Sequence, residues 1–374
     1  MVARCLPLIA LLALLPPLAG CGGAPAEPAP LSETAIAAVA EDAGAPREQL
    51  AREVDDLFAK PDLGETRAVV VMSGGTIAAE RYAPGYSANT RFVSWSMAKT
   101  VTAVMIGMLV ADGRLRLDES PPVPHWQRPG DPRGEITLRQ LLQMRAGLDH
   151  TEAGDPPYES SEVRMLFLDG RDDMSAWAEA QPLEAEPGAK FEYSSATTVI
   201  LADIAARVLS ASDDPELRRR AVDDYLHARV FAPLAMDSMV AEYDASGTLI
   251  GGSLMHGTAR DWARFGEFLR NKGSYRGSQL VPRRWVEFMT SPSPRSPHYG
   301  GQTWLNRPYG EPDHPLFPDR APPSVFAALG HMGQYVIVAP EQRVTLVRLG
   351  HSDRDQRKRL NQELANVLAL YPER

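Results

Sequence analysis

A serine three residues ahead of a lysine constrains this chain more than any other feature: Ser96 and Lys99, in the run Ser94-Trp95-Ser96-Met97-Ala98-Lys99-Thr100. In a helix that spacing puts both side chains on one face, one turn apart. An amine held beside a hydroxyl can make serine nucleophilic without a histidine. The pair opens an apolar helical pattern (Val101, Val104, Met105, Met108, Leu109) that ends at Gly113, a residue suited to a helix C-cap. A serine at a helix N-terminus sits at the positive end of the dipole, which favours developing negative charge. Of the five lysines, Lys99 alone has a serine three positions upstream.

Residues 1–20 read as a secretory signal peptide: Arg4, a leucine-rich stretch from Leu6 to Leu15, then Leu18-Ala19-Gly20-Cys21. Pro7, Pro16 and Pro17 interrupt the apolar run, which is too short for a membrane-spanning helix. Leu-Ala-Gly-Cys resembles the bacterial lipobox, and that resemblance implies lipidation of Cys21 as the new N-terminus. Gly22 rather than Asp after it resembles the outer-membrane sorting pattern. The expected location is therefore the bacterial cell envelope, as a lipoprotein on the periplasmic side of the outer membrane. The two cysteines are Cys5 and Cys21, so the mature domain is expected to hold no disulfide, thiol nucleophile or cysteine metal ligand.

Residues 21–46, rich in Ala, Pro, Gly and Glu, read as a flexible tether, with a helical turn or two allowed between Glu33 and Asp42. The globular domain is placed at 47–374, starting where Leu50, Val54, Leu57 and Phe58 fall on one helical stripe. A chain with 44% hydrophobic residues can bury a large core. A net charge of −9 without a basic cluster argues against nucleic acid as a partner.

Within the domain, Val69 to Ser73, the turn Gly74-Gly75 and Thr76 to Tyr82 predict a β-hairpin. Tyr335 to Val338 and Val344 to Leu349 predict two more strands around Pro340-Glu341. Helical patterns fill the interval: Leu138 to Met144 after Thr137, Thr197 to Leu209, and a segment after Thr258 carrying Trp262, Phe265 and Phe268. A last helix is expected from Ser352, with Leu360, Leu364, Val367 and Leu368 buried. Strands at both ends with helices between imply an α/β fold: an antiparallel sheet flanked by helices, with an inserted, mostly helical domain. The α/β lobe is placed at about 47–95 and 235–374 and the helical lobe at about 96–234, with Ser96 at their junction, where clefts form.

Two further motifs carry chemistry. Tyr193, in Phe191-Glu192-Tyr193-Ser194-Ser195 ahead of a helix, supplies a phenol; near a lysine ammonium its anionic form is favoured, so it can shuttle the serine proton. Gly330-His331-Met332-Gly333-Gln334 leads into a strand, and its glycines allow a substrate to approach the strand edge. A backbone N–H there can form an oxyanion hole with the nucleophile's own N–H.

Ser96-x-x-Lys99, Tyr193-x-Ser195 and His331-x-Gly333 together resemble the serine β-lactamase-like superfamily, in the branch of class C β-lactamases, D,D-peptidases, esterases and 6-aminohexanoate-dimer hydrolase. Arg91-Phe92, Leu138 to Leu148, Phe231 to Met236, Gly252 to Phe265 and Gly333 to Pro340 add to the likeness, which covers roughly residues 65–370. The resemblance implies a β-lactamase/transpeptidase-like fold and an acylated nucleophile at Ser96. It makes Lys99 the partner amine, Tyr193 the general base, and the backbone N–H groups of Ser96 and Gln334 the oxyanion hole. Ser195, His331 and Gly333 would bind substrate. Which of Lys99 and Tyr193 takes the first proton stays open.

Ser195 stands where β-lactamases carry Asn, and His331 where they carry Lys. These departures look more like the esterase and 6-aminohexanoate-dimer hydrolase branch than a penicillin-hydrolysing one. The expected substrate is a small ester or amide, with no cofactor and no metal. The eight histidines are scattered and no His-Glu-x-x-His occurs. A D,D-peptidase or weak class C-type β-lactamase, and a non-catalytic envelope binding protein, are the alternatives. Tyr299, Trp304 and Asn306 are candidates either for lining the cleft or for packing.

Overall fold

In the computed structural model, residues 30–308 and 315–373 are described; the expected signal peptide and Cys21 lie outside them. The chain opens with α1 (Glu33–Ala37) and α2 (Arg47–Ala59), followed by the hairpin β1 (Glu65–Ser73) and β2 (Thr76–Tyr82) and a short β3 (Phe92–Val93). Six helices come next: α3 (Ala98–Ala111), α4 (Leu138–Leu142), α5 (Ser161–Phe167), α6 (Met174–Glu179), α7 (Ser195–Leu209) and α8 (Pro215–Leu226). Then come β4 (Val240–Ala241), β5 (Met255–Gly257), α9 (Ala259–Arg270), β6 (Ser274–Tyr275), β7 (Ser278–Gln279) and α10 (Arg283–Met289). The chain closes with β8 (Trp304–Leu305), β9 (Phe326–Gly330), β10 (Gln334–Ala339), β11 (Val344–His351) and α11 (Arg354–Ala369).

The main sheet is antiparallel, in the order β2-β1-β11-β10-β9-β8, so strands from both ends of the chain share one sheet, joined where β1 pairs with β11, as the sequence predicts. Alternation sorts its side chains. Val69, Val71, Tyr335, Ile337 and Leu346 face Leu50, Val54 and Leu57 of α2 and Leu360, Leu364 and Leu368 of α11. Ala68, Val70, Met72, Val336, Val338 and Val347 join the other core with α3 and with Trp262 and Phe265 of α9. Both faces are covered, which is why β1 and β10 read as continuous apolar runs. Each fully buried Val or Leu contributes about 1.5–3 kcal/mol relative to exposure.

Helix α3 is buried from Ala98 through Leu109, on every side, Lys99, Thr100 and Thr102 included. Gly107 makes its closest contact possible: a Cβ there would fall 2.1 Å from the Trp285 indole nitrogen, which donates to the Ala103 carbonyl at 3.0 Å. The helix expected after Thr137 is capped by a full box with Gln140 but ends at Leu142.

Three boundaries differ from expectation. The segment read as a tether packs on the body well before Arg47: Ala35, Val39 and Ala43 are buried, and Ala40 N–H donates to Ala78 O at 2.9 Å and Glu80 N–H to Ala38 O at 2.8 Å. It thereby covers the free edge of β2. Small alanines on that edge leave no hydrophobic stripe to read. The last helix is capped by Asp353 with Gln356, because the Ser352 hydroxyl donates to Leu63 O and accepts from Arg348 Nη2. Helix α7 starts at Ser195, two residues before Thr197, with Ser194 as its N-cap.

The helical region carries buried charge. Asp203 pairs with Arg207 and Arg218, while the nearby Glu179 carboxylate, 1% exposed, has no hydrogen-bond partner and lies 3.5 Å from Arg207 Nη2. Burial, then the charge of Asp203, raises the Glu179 pKa well above its ordinary 4.5. A raised carboxyl stabilises the fold fully below its unfolded-state value, and that contribution is lost as pH climbs through the folded-state value. Glu179→Gln is therefore expected to flatten the fall in stability between about pH 5 and 9, by roughly 1 kcal/mol or more across that window. Urea titrations at several pH values check this; parallel curves for variant and parent would contradict it.

Candidate active site

Ser96 lies in a 3-10 turn, Trp95–Met97, just ahead of α3 rather than inside it. The turn is moored to β5: Ser94 N–H donates to Met255 O at 2.7 Å, and Met255 N–H to Ser94 Oγ at 3.1 Å. Trp95 has φ +46°, a left-handed conformation that a bulky residue adopts only when its surroundings impose it. Ser96 stays half-exposed while Lys99 behind it is 1% exposed.

Lys99 Nζ lies 2.9 Å from Ser96 Oγ, 2.8 Å from Ser195 Oγ and 2.8 Å from Gly252 O. Burial pulls its pKa below the usual 10.5, and the charges of Glu152 and Glu162 oppose that shift in part. The Tyr193 ring centroid is 4.8 Å from the same nitrogen. Burial, then the charge of Glu152, raises the phenol well above 10, so it is neutral at physiological pH. Tyr299 and Trp304 hold the ring at centroid distances of 5.7 and 5.1 Å. Serine and amine from one stretch of chain meet the phenol ring from another.

The remaining expected site residues divide. Ser195 is fully buried, and its hydroxyl is taken by Lys99 and by Glu152 Oε1 at 2.8 Å, so it is not a substrate contact but a partner of the amine. His331 is exposed in the turn after β9, its ring edge-on to Trp95 at 5.6 Å. Burial of its inner side, then the charge of Arg357, lowers its pKa, which keeps the imidazole neutral. Gly333 faces away: its carbonyl accepts from Arg348 Nη1 at 2.8 Å, and a Cβ would meet Arg348, Ser352 and Leu360.

Gln334 is a second correction. Asn306 N–H donates to Val325 O, so Val325, Ala327, Leu329 and His331 present their main-chain groups to the outer edge of β9. Gly330 then faces β10, where it pairs with Gln334, whose own main-chain groups turn inward to that pair. The Gln334 side chain is likewise spent, donating to Gly350 O at 2.7 Å and accepting from Gly350 N–H at 3.0 Å. The outward N–H nearest the Ser96 turn is that of His331, since a Cβ on Gly330 would fall 2.2 Å from Ser94 O. Of the three aromatic-strand candidates, Trp304 borders Tyr193, Tyr299 packs beneath it, and Asn306 staples the loop through Ala321 O and Phe317 N.

Sequence reasoning missed Glu152, Glu162 and the Gly252 carbonyl. Glu152 Oε2 accepts from Ser195 N–H at 2.6 Å, and Glu162 Oε1 lies 3.2 Å from Ser195 Oγ. Burial, then the facing Glu152, raises the Glu162 pKa. Nothing distinguished these two among 48 acidic residues. Among the described residues one acidic trio, Glu53, Asp56 and Glu363, could converge on a cation, and Lys60 Nζ already sits 2.9 Å from Asp56 and 3.0 Å from Glu363.

The model of the beta-lactamase family matches residues 60–369. The chain belongs to the beta-lactamase family. As a family member it is 28% identical over 250 residues to the 6-aminohexanoate-dimer hydrolase of Paenarthrobacter ureafaciens, an alignment spanning 64% of this chain and 60% of the relative. Its fold matches a Bacillus anthracis protein provisionally named a 6-aminohexanoate-dimer hydrolase, with TM-score 0.66 at 20% identity over 86% of this chain and 83% of that one. It also matches a family VIII carboxylesterase, with TM-score 0.61 at 15% identity over 87% and 96% of the two chains.

The closeness of Gly330 to the nucleophile turn gives a test within this beta-lactamase fold. Gly330→Ala must push a backbone carbonyl aside, so labelling of Ser96 by a fluorophosphonate is expected to slow about tenfold or more. Unchanged labelling in folded variant protein would show that β9 does not brace the turn.

Proposed function

We propose that this protein is a serine hydrolase that cleaves a small ester or amide through an acyl-enzyme on Ser96. The observation that carries this reading is the 2.9 Å contact between a half-exposed serine and a fully buried lysine, with the Tyr193 ring centroid 4.8 Å from the same lysine nitrogen. Ser96 Oγ attacks the carbonyl carbon as its proton passes to the free-amine form of Lys99, which burial favours, and the carbonyl oxygen becomes an oxyanion. The N–H groups of Ser96 and His331 receive that charge. When the tetrahedral intermediate collapses, the leaving oxygen or nitrogen takes the Tyr193 phenol proton, and Lys99 returns a proton to Tyr193. Water then releases the acyl group by the reverse path.

Two features favour a substrate without a carboxylate close to the scissile bond. The His331 imidazole is neutral, and the Ser195 hydroxyl is engaged with Lys99 and Glu152 rather than free for an acylamino group. Both bear against turnover of β-lactams and of D,D-peptides. Intact-mass spectrometry after exposure to p-nitrophenyl acetate or butyrate, short amide oligomers and nitrocefin is the test. The expected outcome is an acyl adduct on Ser96 from the esters, absent in Ser96→Ala, with little or no nitrocefin turnover. Nitrocefin turnover without ester turnover would favour the β-lactamase reading. No adduct from any of them in folded protein would favour a binding protein.

The reading includes a lipid anchor at Cys21 on the periplasmic side of a bacterial outer membrane, supported by Leu18-Ala19-Gly20-Cys21 after a leucine-rich stretch. Expressed with its full leader, the protein is expected to fractionate with outer membranes and to incorporate labelled palmitate, and Cys21→Ser to abolish the label. Equal labelling of both proteins would contradict the anchor.

A further inference from the structure

The hydrolase reading leaves Glu152 without a role, although its carboxylate reaches to within 3.8 Å of the buried Lys99 ammonium position. The segment carrying it is strapped on two sides. Thr151 N–H donates to Ser161 Oγ and Ser161 N–H to Thr151 Oγ1, each at 3.0 Å, which ties it to α5. His150 joins it to α6 and α7 by contacting Ala178 O at 3.0 Å and Thr197 Oγ1 at 3.2 Å. Glu152 itself accepts twice from one residue, Ser195 N–H at 2.6 Å and Ser195 Oγ at 2.8 Å. A carboxylate engaged in this way leaves its oxygens as acceptors, so the single hydroxyl proton of Ser195 is committed to it.

That commitment propagates to the amine. Ser195 Oγ, having given its proton to Glu152, can only accept from Lys99. The Gly252 carbonyl, 2.8 Å from Nζ, also only accepts. A neutral amine has two N–H bonds and one lone pair. With both N–H bonds directed to Ser195 and Gly252, the lone pair is left facing Ser96 Oγ at 2.9 Å. We propose that Glu152 is a positioning residue for acyl transfer: acting through Ser195, it turns the lone pair of Lys99 onto the Ser96 hydroxyl. On attack, the Ser96 O–H bond breaks, its proton bonds to Nζ, and the freed electron pair forms the Oγ–acyl bond. The resulting ammonium then finds an acceptor in each direction and an anion at 3.8 Å. This assigns the first proton to Lys99 and leaves Tyr193 to serve the leaving group. It also gives a reason for serine at position 195: a small hydroxyl fits between amine and carboxylate.

The groups facing Lys99 come from five places: Ser96 from its turn, Tyr193 and Ser195 from the start of α7, Gly252 O from the loop before β5, Glu152 from the segment leading into α5, and Glu162 from the first turn of α5. Glu162, 3.2 Å from Ser195 Oγ, competes for the same proton, and its raised pKa makes it the weaker anion near neutral pH.

The inference rests on the hydrolase reading, so the experiment separates the two. Rates of Ser96 acylation by p-nitrophenyl acetate are measured by intact mass across pH for the parent, Ser195→Ala, Ser195→Thr and Glu152→Gln, with circular dichroism confirming that each is folded. Ser195→Ala is expected to lose about 10–100-fold in acylation with little change in KM, and Ser195→Thr, which keeps the hydroxyl, to recover most of it. Glu152→Gln removes the anion that favours the ammonium, so the acid limb of the rate profile is expected to move to lower pH by about half a unit to one unit. If the parent acylates and Ser195→Ala and Glu152→Gln match it in rate and pH profile, the positioning role is wrong while the hydrolase stands. A limb moved to higher pH in Glu152→Gln would overturn it equally. If the parent never acylates, both fall. Should Ser195→Ala fail to fold, the Glu152→Gln limb decides alone.

Discussion

A lysine ammonium taken out of water without a tight ion pair is costly, and the architecture around Ser96 is arranged about that cost. Lys99 lies on a helix buried on all sides, so its charge must be matched by hydrogen bonds or suppressed. Both happen here. Three acceptors surround Nζ, and burial lowers the affinity for the proton. A lysine that gives up its extra proton more readily offers its free amine as a base, and the half-exposed Ser96 hydroxyl lies 2.9 Å from it. The nucleophile's reactivity is thus a consequence of where α3 lies in the core.

The other parts of the fold serve to keep that helix and its partners in register. The six-stranded sheet, covered on one face by α2 and α11, offers its other face to α9 and α3. Beyond its pairing with β8, the outer edge of β9 runs beside the Ser94–Ser96 turn, close enough that Gly330 leaves no room for a side chain. The left-handed Trp95 and the moorings of Ser94 on β5 hold the turn from the other side. Buried Arg348, bonded to Thr66 Oγ1, Gly333 O, Glu65 O and Ser352 Oγ, locks the β9–β10 turn to β1 and to the start of α11.

Local chemistry was legible in the sequence where it depends on spacing along one element. Ser96 and Lys99 stand three positions apart at a helix start, so their contact follows from spacing, whereas the resemblance to the serine β-lactamase-like superfamily placed Tyr193 beside them. The hairpin at Gly74-Gly75 and the strands around Pro340 carry turn and alternation signals of the same local kind. Gly333 and Gln334 were misread because the side to which a strand residue turns its N–H depends on pairing parity, which only the neighbouring strands reveal. Ser195 was taken for a substrate contact because its partner Glu152 lies 43 positions away on a segment without a motif. The edge strap at residues 33–43 hid for a different reason: its buried residues are mostly alanines, which look the same in a linker.

The central claim is that Lys99 is a depressed-pKa amine. With five lysines in the chain, a 13Cε-lysine NMR titration of the folded protein resolves it directly, the Lys99→Arg variant identifying the signal. The account predicts one lysine titrating clearly below 10.5 in the parent and missing from the variant. A Lys99 signal that titrates at or above 10.5 would contradict it.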